Sequence, residues 1–148
     1  MATRPSLLLV RELVRCYQAF ETYSAAHIRD LDLTPPQFDI IATLGNTPGM
    51  TSKCLGEKTL ITKGTLTGVV DRLIVKDLVR RVQCEHDGRS QIVQLTEKGV
   101  AVFDEVFPAH VAYMDKVFAG LKAEDVTRIQ AALCDLHGVF DAAWHAGK

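Results

Sequence analysis

The sequence predicts a mainly α-helical protein with a small β-hairpin wing: a winged helix-turn-helix flanked by N- and C-terminal helices. Three observations predict it. Apolar residues recur at three- and four-residue steps through most of the 148 positions, the mark of amphipathic helices. Two shorter helical patterns, 53–57 and 62–74, are joined by a brief connection at 59–61, the spacing of a helix-turn-helix. The Val- and Ile-rich runs VRRVQC and QIVQL follow at once, separated by EHDGRS with the hairpin signal Asp87-Gly88.

Each element has its own signal. Over 6–31, Leu9, Val10, Leu13, Val14, Tyr17, Phe20 and Tyr23 or Ser24 form one helical stripe, and Leu7 to Val10 add more apolar surface than one buried face requires. Thr34 caps a second helix with Pro35 at its first position, where a missing N–H costs nothing, running through Phe38, Ile40 and Ile41 to about Leu44. Pro48 and Gly49 make 45–50 a turn. Thr51 or Ser52 caps the third helix, and Thr62 caps a fourth through Leu66, Val69, Val70 and Leu73. After the hairpin, Thr96-Glu97-Lys98-Gly99 starts a long helix through Phe118, in which Pro108 is expected to introduce a bend. A last helix opens at 121–125 and keeps a 3.6-residue period through Val126, Ile129, Leu133, Leu136, Val139 and Phe140 to Trp144.

The whole chain, 1–148, reads as one domain in which 34–98 is the winged module. The flanking helices, 5–31 and 100–146, are too apolar for a core this small, so they predict a homodimer that buries them. Hydrophobic residues make up 47% and charged residues 24%, an ordinary globular balance. No stretch approaches the roughly 18 apolar residues of a membrane helix. Arg11, Glu12 and Arg15 stand where a leader would need a small-residue cleavage site, so no membrane partner and a cytoplasmic location are expected. Cys16, Cys54, Cys84 and Cys134 contain no CxxC pair, so neither a zinc ribbon nor a disulfide framework is indicated and reduced thiols are expected. The net charge of -1 conceals an asymmetry: residues 51–98 carry nine Lys or Arg against six Asp or Glu, so the centre of the chain is its basic part.

LTPPQFDIIATL, TSKCLGEKTLITKGTLTGVVDRLIVKDLVRR and HDGRSQIVQLTEKG resemble the successive signature stretches of the MarR family of bacterial winged-helix regulators, over most of the chain. Asp87 and Arg89 followed by Leu95-Thr96-Glu97-Lys98-Gly99 are the most specific part. The resemblance implies a dimeric transcription factor, usually a repressor, released from DNA by a small molecule or by oxidation.

A recognition helix presents its N-terminal end to the major groove, where hydroxyl and basic side chains reach base edges and helix N–H groups meet phosphate. Thr62, Lys63, Gly64, Thr65 and Thr67 supply that surface: the threonines suit a thymine methyl, Lys63 suits guanine or phosphate, and Gly64 permits close approach of the backbone. Similar proteins often carry a basic residue where this chain has Gly68, which removes one contact; Arg72 follows a turn later. The Asp71-Arg72 pair reads better as a structural ion pair holding the helix against the wing. At the wing tip Arg89 is long enough to enter an A·T-narrowed minor groove, and Asp87 is read as the group that orients it. Lys53, Lys58, Arg80 and Arg81 serve as phosphate contacts. The partner is double-stranded DNA carrying a pseudo-palindromic operator.

GxSxG, HExxH, P-loop and GxGxxG motifs are absent, and the five histidines have no spacing that pairs two on one helix face with a carboxylate, so neither an enzyme nor a cofactor is expected. Two sensing alternatives stay open within the same fold. Cys84, His86 and Asp87, or His110 with Asp104 and Glu105, represent metal sensing, although dispersed ligands of this kind are more often surface residues, and no metal site is assigned. Thiol sensing points to Cys54, in the first turn of a helix beside Lys53, where the positive end of the dipole favours a thiolate. The peroxide-sensing members of the family place their cysteine near the start of the first helix, at a position that corresponds here to Val10, so that pattern is not matched. The commoner type implies an aromatic or phenolic effector held between the dimerisation helices and the reader module, which nominates Tyr23, His27, Phe38 and Val69.

Overall fold

The computed structural model describes residues 4–59, 61–84 and 87–148. In chain order they form α1 (Pro5–Asp30), α2 (Pro35–Leu44), β1 (Met50–Thr51), α3 (Ser52–Thr59), α4 (Lys63–Val75), β2 (Val79–Cys84), β3 (Asp87–Leu95), α5 (Glu97–Phe118) and α6 (Ala123–Ala146). The chain divides into two compact units, Met1–Val111 and Ala112–Lys148, with the division inside α5.

In the first unit the helices start where local chemistry stops extended chain. Thr34 and Gln37 form a reciprocal capping box: the Thr34 hydroxyl accepts the Gln37 N–H at 3.4 Å, and Gln37 Oε1 accepts the Thr34 N–H at 3.1 Å. Thr51 caps α3, its hydroxyl accepting the Cys54 N–H at 3.2 Å. That helix runs to Thr59, beyond the expected 53–57, and the Thr59 hydroxyl donates back to the Leu55 carbonyl at 2.7 Å. The periodic positions converge on one core: Phe38, Ile40, Ile41 and Leu44 of α2, Leu55 of α3, Leu66, Val69, Val70 and Leu73 of α4, Val79 and Val93 of the sheet, and Phe103 and Val106 of α5. Burial of this apolar area, at roughly 25 cal/mol per Å², is the main force seating α4 on α2 and the sheet.

The sheet has the order β1-β3-β2 and is antiparallel throughout. Two expectations change here. Residues 45–50 are not all turn: Gly49, at φ +100°, reverses the chain so that Met50 and Thr51 pair with Val93 and Ile92. A two-residue strand has no alternation to read. In addition, β3 begins at Asp87, so Asp87-Gly88 is the start of a strand and not the hairpin turn. The register shifts between Gln83 and Cys84, which sets Cys84 opposite Asp87. Residues 85 and 86 lie outside the described residues, and with them His86 of the metal-sensing alternative.

The start of α5 is locked to the α4–β2 connection. Asp77, at φ +59°, turns the chain; Thr96 donates its hydroxyl to the Asp77 carbonyl at 2.6 Å and caps the helix by accepting the Gly99 N–H at 3.0 Å. Lys98 Nζ reaches the Lys76 carbonyl at 3.0 Å, and Lys76 Nζ reaches the Asp32 carbonyl and Gln37 Oε1, both at 3.3 Å. Gly99 faces the Leu78 carbonyl so closely that a Cβ would overlap it. This is the physical content of the LTEKG signature.

Most of α1 is not covered by its own unit. Ser24, Ala25 and Ile28 near its end are buried, whereas Leu7 is 63%, Tyr17 55% and Phe20 50% exposed. In the second unit α6 buries none of its residues. Phe118, Leu121, Val126, Ile129 and Leu133 line an open apolar hollow of about 520 Å³ there, and Trp144 is 67% exposed. α5 runs unbroken through Pro108.

Candidate nucleic-acid interface and histidine cluster

The buried stripe of α4 leaves Thr62, Lys63, Gly64, Thr65, Thr67, Asp71 and Arg72 on the exposed side. Thr62 stands at the N-cap, but its hydroxyl donates to the Thr65 hydroxyl at 3.1 Å instead of accepting a helix N–H. The N-terminal amides of α4 therefore have no side-chain cap from it, which suits a helix end that meets phosphate. A Cβ at Gly64 or Gly68 would meet nothing within 4 Å, so no internal contact demands glycine there. Lys53 of α3 comes beside Lys63 and Thr67 along an open groove of about 550 Å³ between the two helices, with Gly56, Ile61 and Leu66 also in its lining.

On the wing, Asp87 braces the strand start: its Oδ1 accepts the Arg89 N–H and its Oδ2 accepts the Ser90 hydroxyl, both at 3.0 Å. Arg89 is exposed on that braced backbone. The Asp71 ion pair is made with Arg81 of β2, at 2.9 Å, and not with Arg72 as expected. The expected function, helix held against wing, is met by a cross-element partner that a sequence neighbour could not supply. Arg80 gives Nε and Nη2 to Gln94 Oε1 at 3.3 and 2.9 Å, across the β2–β3 pair. Arg81 and Arg80 thus have protein partners, while both residues remain exposed at the surface.

A second cluster lies at the end of α1. His27 Nδ1 and His110 Nδ1 are 3.0 Å apart, His110 Nε2 is 3.1 Å from the Ser24 hydroxyl, and the Phe38 ring packs on His110 with centroids 4.6 Å apart. Of the nominated effector residues, His27 and Phe38 are brought together on His110, and Tyr23 is half-buried on the same helix. Val69 is a fully enclosed core side chain, 3% exposed. Sequence reading missed Ser24 and His110 as members of this cluster. The signal was present: Gly99, Phe103, Val106 and His110 follow one another at steps of four, three and four and are the buried residues of α5.

Burial lowers the His110 pKa below its ordinary 6.5, and the neighbouring His27 adds to the effect. The pKa of Asp39 on α2 is raised, first by partial desolvation of its carboxyl and then by Glu21 of α1, although the residue as a whole is exposed. For His110 the folded value lies below the unfolded one, so the stability contributed by the neutral ring is complete above pH 6.5 and is lost as pH falls from there toward the folded pKa. Acidification from pH 8 to 5.5 should lower Tm, and His110→Gln should flatten that part of the curve in calorimetric scans.

The four cysteines are free thiols; Cys54 is half-buried in the first turn of α3. Among the described residues no three of His, Cys, Asp and Glu converge as a metal site, and no helix is long and apolar enough to cross a membrane.

A helix-turn-helix with an exposed second helix and an arginine-tipped wing defines a DNA-binding transcription regulator of the winged-helix class. Comparison with known proteins places it more narrowly. Residues 31–90 match the model of the MarR family. The HTH-type transcriptional regulator MhqR of Bacillus subtilis is 32% identical over 124 residues, covering 84% of this chain and 86% of that protein. The chain belongs to the MarR family. AbsC, a MarR family transcriptional regulator from Streptomyces coelicolor, superposes with a TM-score of 0.82 at 26% identity, covering 96% of this chain and 98% of that one. BpsR of Bordetella bronchiseptica, whose DNA binding is regulated by 6-hydroxynicotinic acid, superposes with a TM-score of 0.80 at 25% identity over 93% of this chain and 98% of that one.

Proposed function

We propose that this regulator is a homodimeric repressor that reads a pseudo-palindromic operator through α4 and the wing and releases it when a small aromatic or phenolic acid binds near His27 and Phe38. The observation that carries the DNA reading is the uncapped, exposed Thr62–Thr67 end of α4, set beside Lys53 and on the same module as the Asp87-braced Arg89. Lys63, Thr65 and Thr67 meet base edges, Lys53 and Arg81 meet phosphate, and Arg89 enters the minor groove. The effector reading is supported by a polar, titratable cluster enclosed against Phe38, and by BpsR, a similar protein regulated by an aromatic acid.

The dimer follows from the exposed apolar faces at 5–20 and 124–146, which a monomer would leave in water. Leu133→Asp places a charge in that face; sedimentation at low micromolar concentration should show a dimer for the native chain and a monomer or unfolded protein for the variant. A native monomer under those conditions overturns the dimer. Selection of genomic fragments by the purified protein, with and without aromatic acids, tests the repressor reading: specific fragments should be retained and then released by an acid that also raises Tm.

A further inference from the structure

We infer that Glu57 of α3 also reads the operator: its carboxylate accepts an exocyclic amino group in the major groove, so that each half-site carries one position, on the strand facing α3, read as cytosine before adenine and as either before guanine or thymine. This rests on the DNA reading proposed above and adds a specificity residue to it.

Two carboxylates stand on the reading face. Asp71 of α4 is engaged, since Arg81 of β2 holds it at 2.9 Å. Glu57 is exposed and lines the groove between α3 and α4 together with Lys53, Lys63 and Thr67. Among the described residues it nevertheless makes no ion pair. Lys53 lies one turn before it on α3, the weaker order for a helical lysine–glutamate pair.

A carboxylate in that position opposes binding unless DNA gives it a donor. Phosphates repel it, and the less exposed lining of the groove, Gly56, Ile61 and Leu66, has no side-chain donor to offer once DNA displaces water. The two lysines of the groove are directed to phosphate and base edges in the reading above. Base amino groups remain. The major groove presents two, cytosine N4 and adenine N6. Adenine sets its N7 acceptor beside the amino group, guanine shows only the acceptors N7 and O6, and thymine shows O4 and a methyl. A group that accepts and cannot donate is therefore best served by cytosine, next by adenine, and is repelled by the acceptors of the other two. The same charge weakens binding to any sequence lacking the amino group there, which widens the gap between operator and random DNA.

Selection from a randomised duplex pool by the full-length protein, followed by titrations on single-base variants of the selected site, tests this. The native chain should favour cytosine over guanine at one symmetric position per half-site by roughly fivefold or more. Glu57→Gln, which donates as well as accepts, should move that preference to adenine. Glu57→Ala should erase it and raise affinity for random DNA. Both changes are at an exposed position, so Tm should stay at the native value. Asp71→Asn should raise affinity with every base preference retained. Unchanged preferences at all positions in both Glu57 variants, or loss in Glu57→Ala of a preference for guanine or thymine, overturns this inference alone. A native protein that selects no sequence from the pool overturns the DNA reading on which it stands.

Discussion

Gly99→Ala is expected to destabilise the fold by about 3 kcal/mol or more, a large fraction of the stability of a domain this size. The glycine is at the third position of α5 and its N–H is fixed by the Thr96 hydroxyl, which is itself fixed to the Asp77 carbonyl. A methyl group there would overlap the Leu78 carbonyl oxygen, with the Leu95 side chain on another side at 3.3 Å. Backbone cannot yield as a flexible side chain can, because Leu78 N–H is held by the Leu73 carbonyl at 2.9 Å and its carbonyl accepts the Thr96 N–H at 3.1 Å. Relief therefore requires α5 to lift away from the α4–β2 connection, which also disturbs the seat of α4. Urea unfolding measures the effect. Gly68→Ala is the contrasting control: it has open space and a helical backbone, so it should be stabilising by roughly 0.5–1 kcal/mol. Equal stability of Gly99→Ala and the native chain would contradict the packing described for the start of α5.

The second large effect is on DNA. A two-fold dimer placing α4 in successive major grooves requires half-sites about one helical turn, roughly 10 bp, apart. Lys63→Ala and Thr65→Ala should each lose on the order of 1 to 3 kcal/mol and relax sequence preference, so the double variant should retain little beyond non-specific affinity. Arg89→Ala should weaken binding most where flanks are A·T-rich, since the narrow groove that attracts a guanidinium exists there. Arg81→Ala should weaken all sequences alike and lower the salt slope by about one unit. The Asp71–Arg81 pair adds a further test: Asp71→Asn leaves the arginine in place and removes its competing carboxylate, so uniform affinity should rise. Exposed pairs of this kind are worth about 0 to 1 kcal/mol, so neither change should unfold the protein. Titrations at two salt concentrations on a selected fragment separate these outcomes. A dimer that shows no preference above its non-specific affinity, with thiols reduced and no effector, would falsify the reading assigned to 62–72.

Much of this molecule was legible in the chain itself, because local physics wrote it there. Thr34 and Pro35 specify where α2 begins, and the stripe Leu66, Val69, Val70 and Leu73 specifies which side of α4 stays exposed. Asp87 is likewise a local device, since its carboxylate accepts from Arg89 and Ser90, two and three residues on. The elements that differed depend on partners distant in sequence. β1 exists because Met50 and Thr51 meet β3 some 40 residues later; alone, two residues have no strand signal. Asp87-Gly88 reads as a turn by composition, yet the pairing of Cys84 with Asp87 draws it into β3. Asp71 pairs with Arg81 and not with its neighbour Arg72 because adjacent residues on a helix point to different sides, whereas Arg81 of β2 comes within 2.9 Å of its carboxylate. His110 is the clearest case. Its burial followed from periodicity, but its chemistry comes from an α1 residue 83 positions away that sets a second imidazole 3.0 Å from its own. Sequence determines which side chains are driven inward; the tertiary structure alone decides which of them meet there, because distance between imidazoles is a property of packed helices and not of either helix.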